Sequence, residues 1–281
     1  MKKPRVRVAL IACILLMWCL SGFSLSQSYP QRIVSLGPAI TEQMYVLGVQ
    51  DRLIGCTVYC KRPAEAEKKE RVGTVIKTNV EKIVSLRPDL VICTSLSDPK
   101  QVKKLRNLGM RIVLFPAPKN FYELCVQFKE LGRVVGKEKE AEEIITTAKR
   151  KVESLEKKIG KLQKPRVFVQ IGAKPLFSIT EDSFINDYLN FAGGINIASK
   201  AKTGLYSREQ VLKDNPDVII IVGMGINGGE ERKIWKGYET MNAARNDRIY
   251  SMDPYKLCSP TPVSFVETLE EMVTILHPRH E

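Results

Sequence analysis

A charged amphipathic stretch near the middle of the chain, residues 137–163, constrains the fold more than any other feature. Its apolar residues recur at steps of three and four, which predicts one apolar face of an α-helix, while Lys and Glu cover the other face. They are Ala141, Ile144, Ala148, Val152, Leu155, Ile159 and Leu162. Such a helix would be about 40 Å long. It has too many charges for a membrane span and too few heptads for a coiled coil, so we interpret it as a spacer.

Short apolar segments alternate with helical patterns on both sides of this helix. Strands are predicted at residues 32–36, 53–56, 90–93, 112–115, 166–171, 218–222 and 248–252. This alternation is typical of α/β folds with parallel sheets covered on both faces. We therefore expect two Rossmann-like α/β lobes, residues 27–136 and 164–281, joined by the single long backbone helix 137–163, with a ligand cleft between the lobes.

The two predicted lobes share a repeated pattern. Asn79, Glu81 and Asp89 stand 128 residues before Ser207, Glu209 and Asp217. In both copies a helix-capping residue starts a short helix, a Glu follows two places on, and Pro-Asp introduces an apolar strand. The repeat favours two lobes of similar construction.

The first 26 residues have the pattern of an export signal. Four basic residues precede an apolar run at residues 8–20, and small residues follow it. This run is too short for an ordinary transmembrane helix, and cleavage before Gln27 is expected, with an uncleaved anchor as the alternative. A lipoprotein signal at Cys19 is disfavoured, because the bulky Trp18 precedes it.

Charge and cysteine content agree with an exported protein that does not bind nucleic acid. The net charge of +13 falls to +9 when the four basic residues of the signal are removed, and the remaining basic residues are scattered. Of the seven cysteines, five lie beyond the signal, so at least one has no partner for an intramolecular disulfide. Cys93 and Cys125 are expected in the core, and a Cys56–Cys60 disulfide is compatible with the sequence but not required by it.

Loops that follow the predicted strands supply the candidate binding residues. In open α/β sheets these loops border the ligand site, and two facing lobes would enclose a cleft there. The ligand-binding candidates are Pro38, Tyr59, Val75, Lys77, Lys174, Phe177, Asp253, Tyr255 and Lys256. Aromatic walls with a few cations suit a bulky, partly flat ligand.

Enzymatic chemistry has little support in the sequence. The only two histidines, His277 and His280, lie at the C-terminus, which leaves neither a Ser-His-Asp arrangement nor a His-rich metal site for the cleft. The Gly-rich segment 223–229 lacks the spacing of a nucleotide-binding loop and is expected to form a flexible turn. We predict no catalytic residue, no bound metal and no resident cofactor; the alternatives are an exported α/β enzyme and a ligand sensor on the same scaffold.

Several segments together resemble the helical-backbone substrate-binding proteins of ABC importers for cobalamin and ferric siderophores. They are RIVSLGPAITEQMYVLG, TVYCKRP, NVEKIVSLRPDLVI, the spacer helix, PRVFVQIG and YSREQVLKDNPDVIII, in that order. The resemblance covers nearly the whole chain beyond the signal. It implies a monomeric extracytoplasmic protein, periplasmic in a Gram-negative cell, that delivers a metal chelate to a permease dimer and its ATPase.

The resemblance also implies roles for the repeated glutamates. In the family a Glu on each lobe docks onto arginines of the permease, and the matching residues are Glu81 and Glu209. A carboxylate in the first turn of a helix is also favoured by the helix dipole, so a purely structural role is the alternative.

The ligand is less well defined by the resemblance. Tyr59 and Phe177 match positions where cobalamin binders hold aromatic rings against the corrin, but Val75 stands where a tryptophan is expected, and Leu257, beside Lys256, where an arginine is expected. A corrinoid and an anionic ferric siderophore both stay open, whereas haem held by histidine is disfavoured. Cys60 could face the ligand or pack in the core. A straight spacer helix predicts a small closing motion of the lobes.

Overall fold

The computed structural model of the protein describes residues 29–223, 225 and 227–278. The predicted signal lies outside the described residues, and so do Cys13, Cys19 and His280. Within the described part of the chain, no helix is both long enough and apolar enough to cross a bilayer.

The first lobe is an α/β unit built on one parallel sheet. Its strands are β1 (Ile33–Ser35), β2 (Leu53–Cys56), β3 (Glu70–Arg71), β4 (Leu90–Thr94) and β5 (Ile112–Phe115), and its helices are α1 (Pro38–Val46), α2 (Val80–Ser85), α3 (Pro99–Asn107) and α4 (Phe121–Val135). Two 3₁₀ turns, Gln50–Arg52 and Ala64–Lys68, flank β2. The strand order is β3-β2-β1-β4-β5, and every pair is parallel. Helices cover both faces, which is why β1 is buried throughout and β4 in all but its last residue.

The second lobe repeats this plan with one antiparallel strand. Its strands are β6 (Arg166–Ala173), β7 (Leu176–Ser178), β8 (Ile195–Asn196), β9 (Val218–Val222) and β10 (Ile249–Met252). The order is β10-β9-β6-β7, with β8 paired beside β7 on β6. The predicted parallel sheets are confirmed, and β7 is an additional antiparallel strand, because the chain reverses at Lys174 and Pro175 and a turn that short pairs strands antiparallel.

Six helices follow the long helix in the second half of the chain. They are α6 (Phe184–Phe191), α7 (Arg208–Asp214), α8 (Gly228–Lys236), α9 (Asn242–Arg245), α10 (Pro254–Cys258) and α11 (Pro262–Leu276). The long helix itself, α5, spans Glu138–Ile159, 22 residues or about 33 Å. It is shorter than predicted because it ends at Gly160, which leaves Leu162 exposed. Its buried face includes Ile145, which the predicted stripe omitted, while Ile144 is only partly buried.

A second, non-covalent connection joins the lobes. Helix α11 packs against both α4 and α5. The ring of Phe265 on α11 stacks on Phe121 of α4 at 4.4 Å and on Tyr188 of α6 at 4.3 Å between centroids. The Phe121 backbone N–H donates to Asp187 Oδ2 at 2.7 Å. Helix α5 is the covalent bridge between the lobes. The stacked rings of Phe121, Phe265 and Tyr188, which we call the aromatic junction, hold the lobes together as well.

The repeat predicted from the sequence is present in the structure. Asn79 and Ser207 each cap their helix by accepting a hydrogen bond from the backbone N–H three residues on. The Asp89 carboxylate accepts from the Arg32 backbone N–H, and Asp217 accepts from the Arg166 backbone N–H in the same way. These contacts fix the start of a buried strand in each lobe, so both copies position their exposed Glu by the same local structure.

Candidate functional site

The cleft lies between the loops of the two lobes. A depression of about 460 Å³ lies there. The lining residues are Pro38, Tyr59, Lys61, Arg62, Asp253, Pro254, Tyr255 and Ser259. Four of the nine predicted ligand-binding residues are in this set, and they come from both halves of the chain. The volume is within the range of small-molecule sites.

The first-lobe wall of the cleft is the loop after β2, residues 57–62, which we call the cleft loop. Its first four residues form a turn, because the Cys60 backbone N–H donates to the Thr57 carbonyl at 3.1 Å. The turn presents Tyr59, whose side chain is 53% exposed. A large ring held in solvent by a tight turn is available for contact with a ligand.

The second-lobe wall is the short helix α10, which the sequence analysis treated as a loop. Asp253 caps it by accepting the Tyr255 backbone N–H at 2.8 Å. Burial raises the pKa of the Tyr255 hydroxyl, so the phenol stays neutral. Leu257, where the resemblance expected an arginine, is fully buried in the core. That position therefore contributes no side chain to the cleft.

Arg62 connects the two walls, and the sequence analysis missed it. Its Nη2 donates to the Tyr255 carbonyl oxygen at 3.1 Å, and its guanidinium lies 4.1 Å from the Tyr255 ring centroid. It also pairs with Glu42 of α1 at 3.2 Å. Burial raises the pKa of Glu42, although the Arg62 charge acts in the opposite direction. The sequence places Lys61 and Arg62 side by side after Tyr59 and gives no signal of which one turns inward.

The other five predicted ligand residues are not among the residues that line this depression. Val75 is buried, and Phe177 is half-buried in β7. Lys77 and Lys174 are exposed, the latter at the β6–β7 turn. Lys256 donates to Glu271 of α11 at 2.7 Å, so its charge is already paired. The cation that the structure places in the cleft is Arg62, beside Lys61.

The four cysteines of the first lobe are buried. Cys56 and Cys60 are both fully buried, and no disulfide joins them. Cys60 does not face the ligand, because its Sγ lies 3.2 Å from the hydroxyl of Thr41 and 3.2 Å from that of Thr57 inside the lobe. Cys93 and Cys125 are core residues as expected, and burial raises the pKa of each thiol to about 11.

The two repeated glutamates are exposed in the first turns of α2 and α7. Glu81 pairs with Lys104 at 3.0 Å, and this hydrogen bond lowers the pKa of its carboxyl. The pKa of Glu209 is lowered mainly by a hydrogen bond from its own backbone N–H and, to a smaller extent, by one from the Ser207 side chain. Both side chains are therefore ionised and accessible, which fits the docking role and the helix-dipole role alike.

A buried polar network supports the Glu209 helix, and the sequence analysis missed it. Glu231 of α8 accepts from Gln170 at 2.8 Å and from Arg208 at 2.7 Å, and Trp235 donates to Gln170 at 2.6 Å. Burial would raise the pKa of Glu231, but these hydrogen bonds and the Arg208 charge keep it low. The prediction of a flexible turn at residues 223–229 is wrong for its end, because Gly228 and Gly229 begin α8, which Asn227 caps. The contact between Arg208 and Glu231 thus ties the first turn of α7, which carries Glu209, to α8.

The structure shows no grouping that suggests metal catalysis within the described residues, since no three or more His, Cys, Asp or Glu side chains converge there. His277 lies at the end of α11, and its Nε2 is 2.9 Å from the Ala192 carbonyl oxygen. That contact places the ring against the second lobe, away from the cleft residues.

Comparison with known proteins agrees with this geometry. A family model described as periplasmic binding protein matches residues 33–256. An ABC transporter substrate-binding lipoprotein of Bacillus subtilis is 30% identical over 89% of this chain and 81% of its own length. A vitamin B12-binding protein of Vibrio cholerae is 28% identical over 96% of this chain and 97% of its own.

A solved structure supports the fold assignment. It is a possible iron-binding periplasmic solute-binding protein from Staphylococcus epidermidis, with a TM-score of 0.79 and 26% identity, covering 89% of this chain and all of that one. The family and these relatives are binding proteins rather than enzymes. The predicted class of protein is therefore confirmed, and the enzyme alternative is not supported.

Proposed function

The chain belongs to the periplasmic binding protein family, and from that premise we propose that it captures a bulky metal chelate in the cleft between its lobes and delivers it to an ABC transporter. The observation that carries the proposal is the cleft itself, where Tyr59 and Tyr255 come from opposite lobes and Arg62 lies over the Tyr255 ring. Two aromatic walls suit a ligand with a large flat or apolar surface.

The charges of the cleft refine the ligand class. Lys61, which lines the depression, favours a chelate that carries anionic groups such as phosphate or carboxylate, whereas the charge of its neighbour Arg62 is already paired with Glu42. The relatives are named for vitamin B12 and for iron, so a corrinoid and a ferric siderophore are the two candidates to be compared. Lys77 and Lys174 lie in exposed turns and Phe177 lies in β7, and we propose that they contact a ligand larger than the depression.

Binding is tested with purified protein and a panel of corrinoids and ferric chelates. A bound ligand at 100 times its Kd stabilises the folded state by about 2.7 kcal/mol, which raises the melting temperature measurably. Any compound that co-purifies is identified by its absorption spectrum and mass. If neither panel moves the melting curve and nothing coloured co-purifies, the chelate assignment fails.

Docking onto the permease dimer is proposed for Glu81 and Glu209. Both are exposed and ionised, one on each lobe, so two charge-assisted contacts would also register the spacing of the lobes. Glu81→Lys combined with Glu209→Lys should abolish uptake while leaving the ligand Kd unchanged. The matched control is Glu67→Lys with Glu239→Lys, which reverses two other exposed glutamates. Uptake that survives in the first double variant contradicts the docking role.

Export and organisation complete the proposal. We propose that residues 1–26 direct export, that residues 27–136 and 164–281 act as the two binding lobes about the 137–163 connection, and that the protein works as a monomer. The Bacillus subtilis relative is named as a lipoprotein, so lipidation at Cys19 is the alternative to cleavage before Gln27. The mass of the N-terminal peptide of the exported protein distinguishes these two routes.

A further inference from the structure

Two thiols lie directly beneath the cleft loop, and ligand binding gives them no role. Cys56 is the last residue of β2, and Cys60 is the fourth residue of the loop. Both are fully buried. The turn in the loop folds Cys60 back toward the end of the strand, and the Arg71 guanidinium contacts both the Cys56 sulfur and the Cys60 carbonyl oxygen. Two buried thiols grouped around one arginine at the root of a binding loop form a site in their own right.

The surroundings of the pair differ for the two sulfurs. The guanidinium of Arg71 donates to Cys56 Sγ at 3.1 Å and to the carbonyl oxygens of Thr57 and Cys60 at 2.8 and 3.2 Å. Cys60 Sγ lies 3.2 Å from the hydroxyl of Thr41 and 3.2 Å from that of Thr57. Hydrogen bonds from Cys56, then Thr41 and Thr57, outweigh burial and lower the pKa of Cys60 to about 6. The pKa of Cys56 is raised by its contact with Cys60 and by burial, so it keeps its proton.

A thiol of lowered pKa close to a second thiol is the arrangement that disulfide exchange requires. We propose that Cys56 and Cys60 form a reversible dithiol–disulfide site that is oxidised by an external disulfide and that fixes the cleft loop in position. The site and the chemistry are independent of which ligand the cleft takes.

The exchange proceeds in two balanced steps. The Cys60 thiolate attacks one sulfur of the external disulfide, which breaks its S–S bond, forms a mixed disulfide and releases one thiolate. Cys56 then gives up its proton and attacks the Cys60 sulfur, which forms the internal S–S bond and releases the second thiol. In total the pair gives up two electrons and the Cys56 proton, and the external disulfide is reduced to one thiol and one thiolate, which takes its proton from water.

Access to the buried pair is through the cleft loop. The neighbours of Cys60 are exposed, since Tyr59 is 53% and Val58 41% accessible. A local opening of the turn therefore brings Cys60 to the surface without unfolding the lobe. Once formed, the bond would tie the cleft loop to the end of β2 at Cys60, which lies between Tyr59 and Arg62 in the chain. Oxidation would thus restrict the conformations that Tyr59 and Arg62 can adopt.

Trypsin provides a direct measurement, because cleavage after Arg52 and Lys61 releases both cysteines in one peptide, residues 53–61. Protein incubated with oxidised glutathione, then alkylated and digested, should give this peptide without alkyl groups and lighter than the dithiol form by two hydrogen atoms. If the oxidised protein is treated with dithiothreitol before alkylation, the peptide should carry two alkyl groups. Cys125, buried with a raised pKa, is the internal control and should not be oxidised.

Two further readouts make the proposal falsifiable. Cys56→Ser should stop at a mixed disulfide of Cys60 with glutathione, whereas Cys60→Ser should form none at Cys56. Hydrogen exchange of residues 57–62 should slow on oxidation of the wild-type protein. A 53–61 peptide that stays fully alkylated after exposure to excess oxidised glutathione refutes the site. A disulfide that forms without slowing exchange in the cleft loop refutes its effect on the loop.

Discussion

Replacement of Phe265 by Ala tests whether the aromatic junction holds the lobes together. The ring is fully buried and stacks on Phe121 and Tyr188, one residue from each lobe. A buried Phe→Ala change costs about 3–5 kcal/mol. Two ring contacts, each worth about 0.5–1.5 kcal/mol beyond area burial, place the loss near the upper end of that range. At about 2–4 °C for each kcal/mol in a chain of this size, the melting temperature should fall by roughly 10–20 °C.

The assay uses the position of the two tryptophans. Trp18 is removed if the signal is cleaved, so Trp235 is the only tryptophan of the mature chain and reports on the second lobe. In the wild type, Trp235 fluorescence and far-UV circular dichroism should follow one urea transition. In Phe265→Ala the two curves should separate. The control Phe128→Ala removes another buried ring of the first lobe and should cost as much stability. Its two curves should coincide, because Phe265 still stacks on a ring from each lobe. A loss below about 1.5 kcal/mol with coincident curves refutes the junction as a coupling element.

Three further outcomes are expected. Asn79→Ala and Ser207→Ala should each cost about 1 kcal/mol in urea unfolding, and the double variant about the sum, because the caps lie in different lobes; a strongly non-additive result contradicts their independence. Arg62→Gln should speed hydrogen exchange in residues 253–259 by removing the cross-cleft hydrogen bond, whereas Lys61→Gln should leave it unchanged. The pKa of Glu231 is lower in the folded protein than its ordinary value of 4.5, so its contribution to stability is present above that pH and is lost as the pH falls through the folded value. Glu231→Gln should therefore flatten the acid limb of a pH–stability curve, and an unaltered limb argues against this role.

Elements with their own boundary signals were predictable from the sequence. Helix α4 carries both boundary signals in its sequence, because Asn120 caps its start and Gly136 ends it in the left-handed conformation that glycine favours. The strand β9 was also predicted at its observed limits, since a run of five buried β-branched residues between a Pro-Asp pair and a glycine is hard to interpret otherwise. Local chemistry decides such elements, so the sequence is sufficient.

Elements that depend on distant contacts were not predictable in this way. Helix α8 begins with two glycines, which have poor helix propensity, and it is held by Glu231 and Trp235 contacts to a strand some 60 residues earlier. The role of Arg62 depends on a carbonyl oxygen 193 residues away. Lys256 was a plausible ligand cation until its pairing with Glu271 was known. In each case the partner, not the residue itself, determines the role.

The position of α11 has a consequence for how the protein is made. Phe121 of the first lobe is 5% exposed, and part of its cover is Phe265, which is synthesised 144 residues later. At about 5–20 residues per second, roughly 7–30 seconds separate the appearance of the two rings. During that interval the first lobe has its complete sheet but an uncovered apolar surface. The first half of this chain therefore reaches its final form only when the last helix has been made.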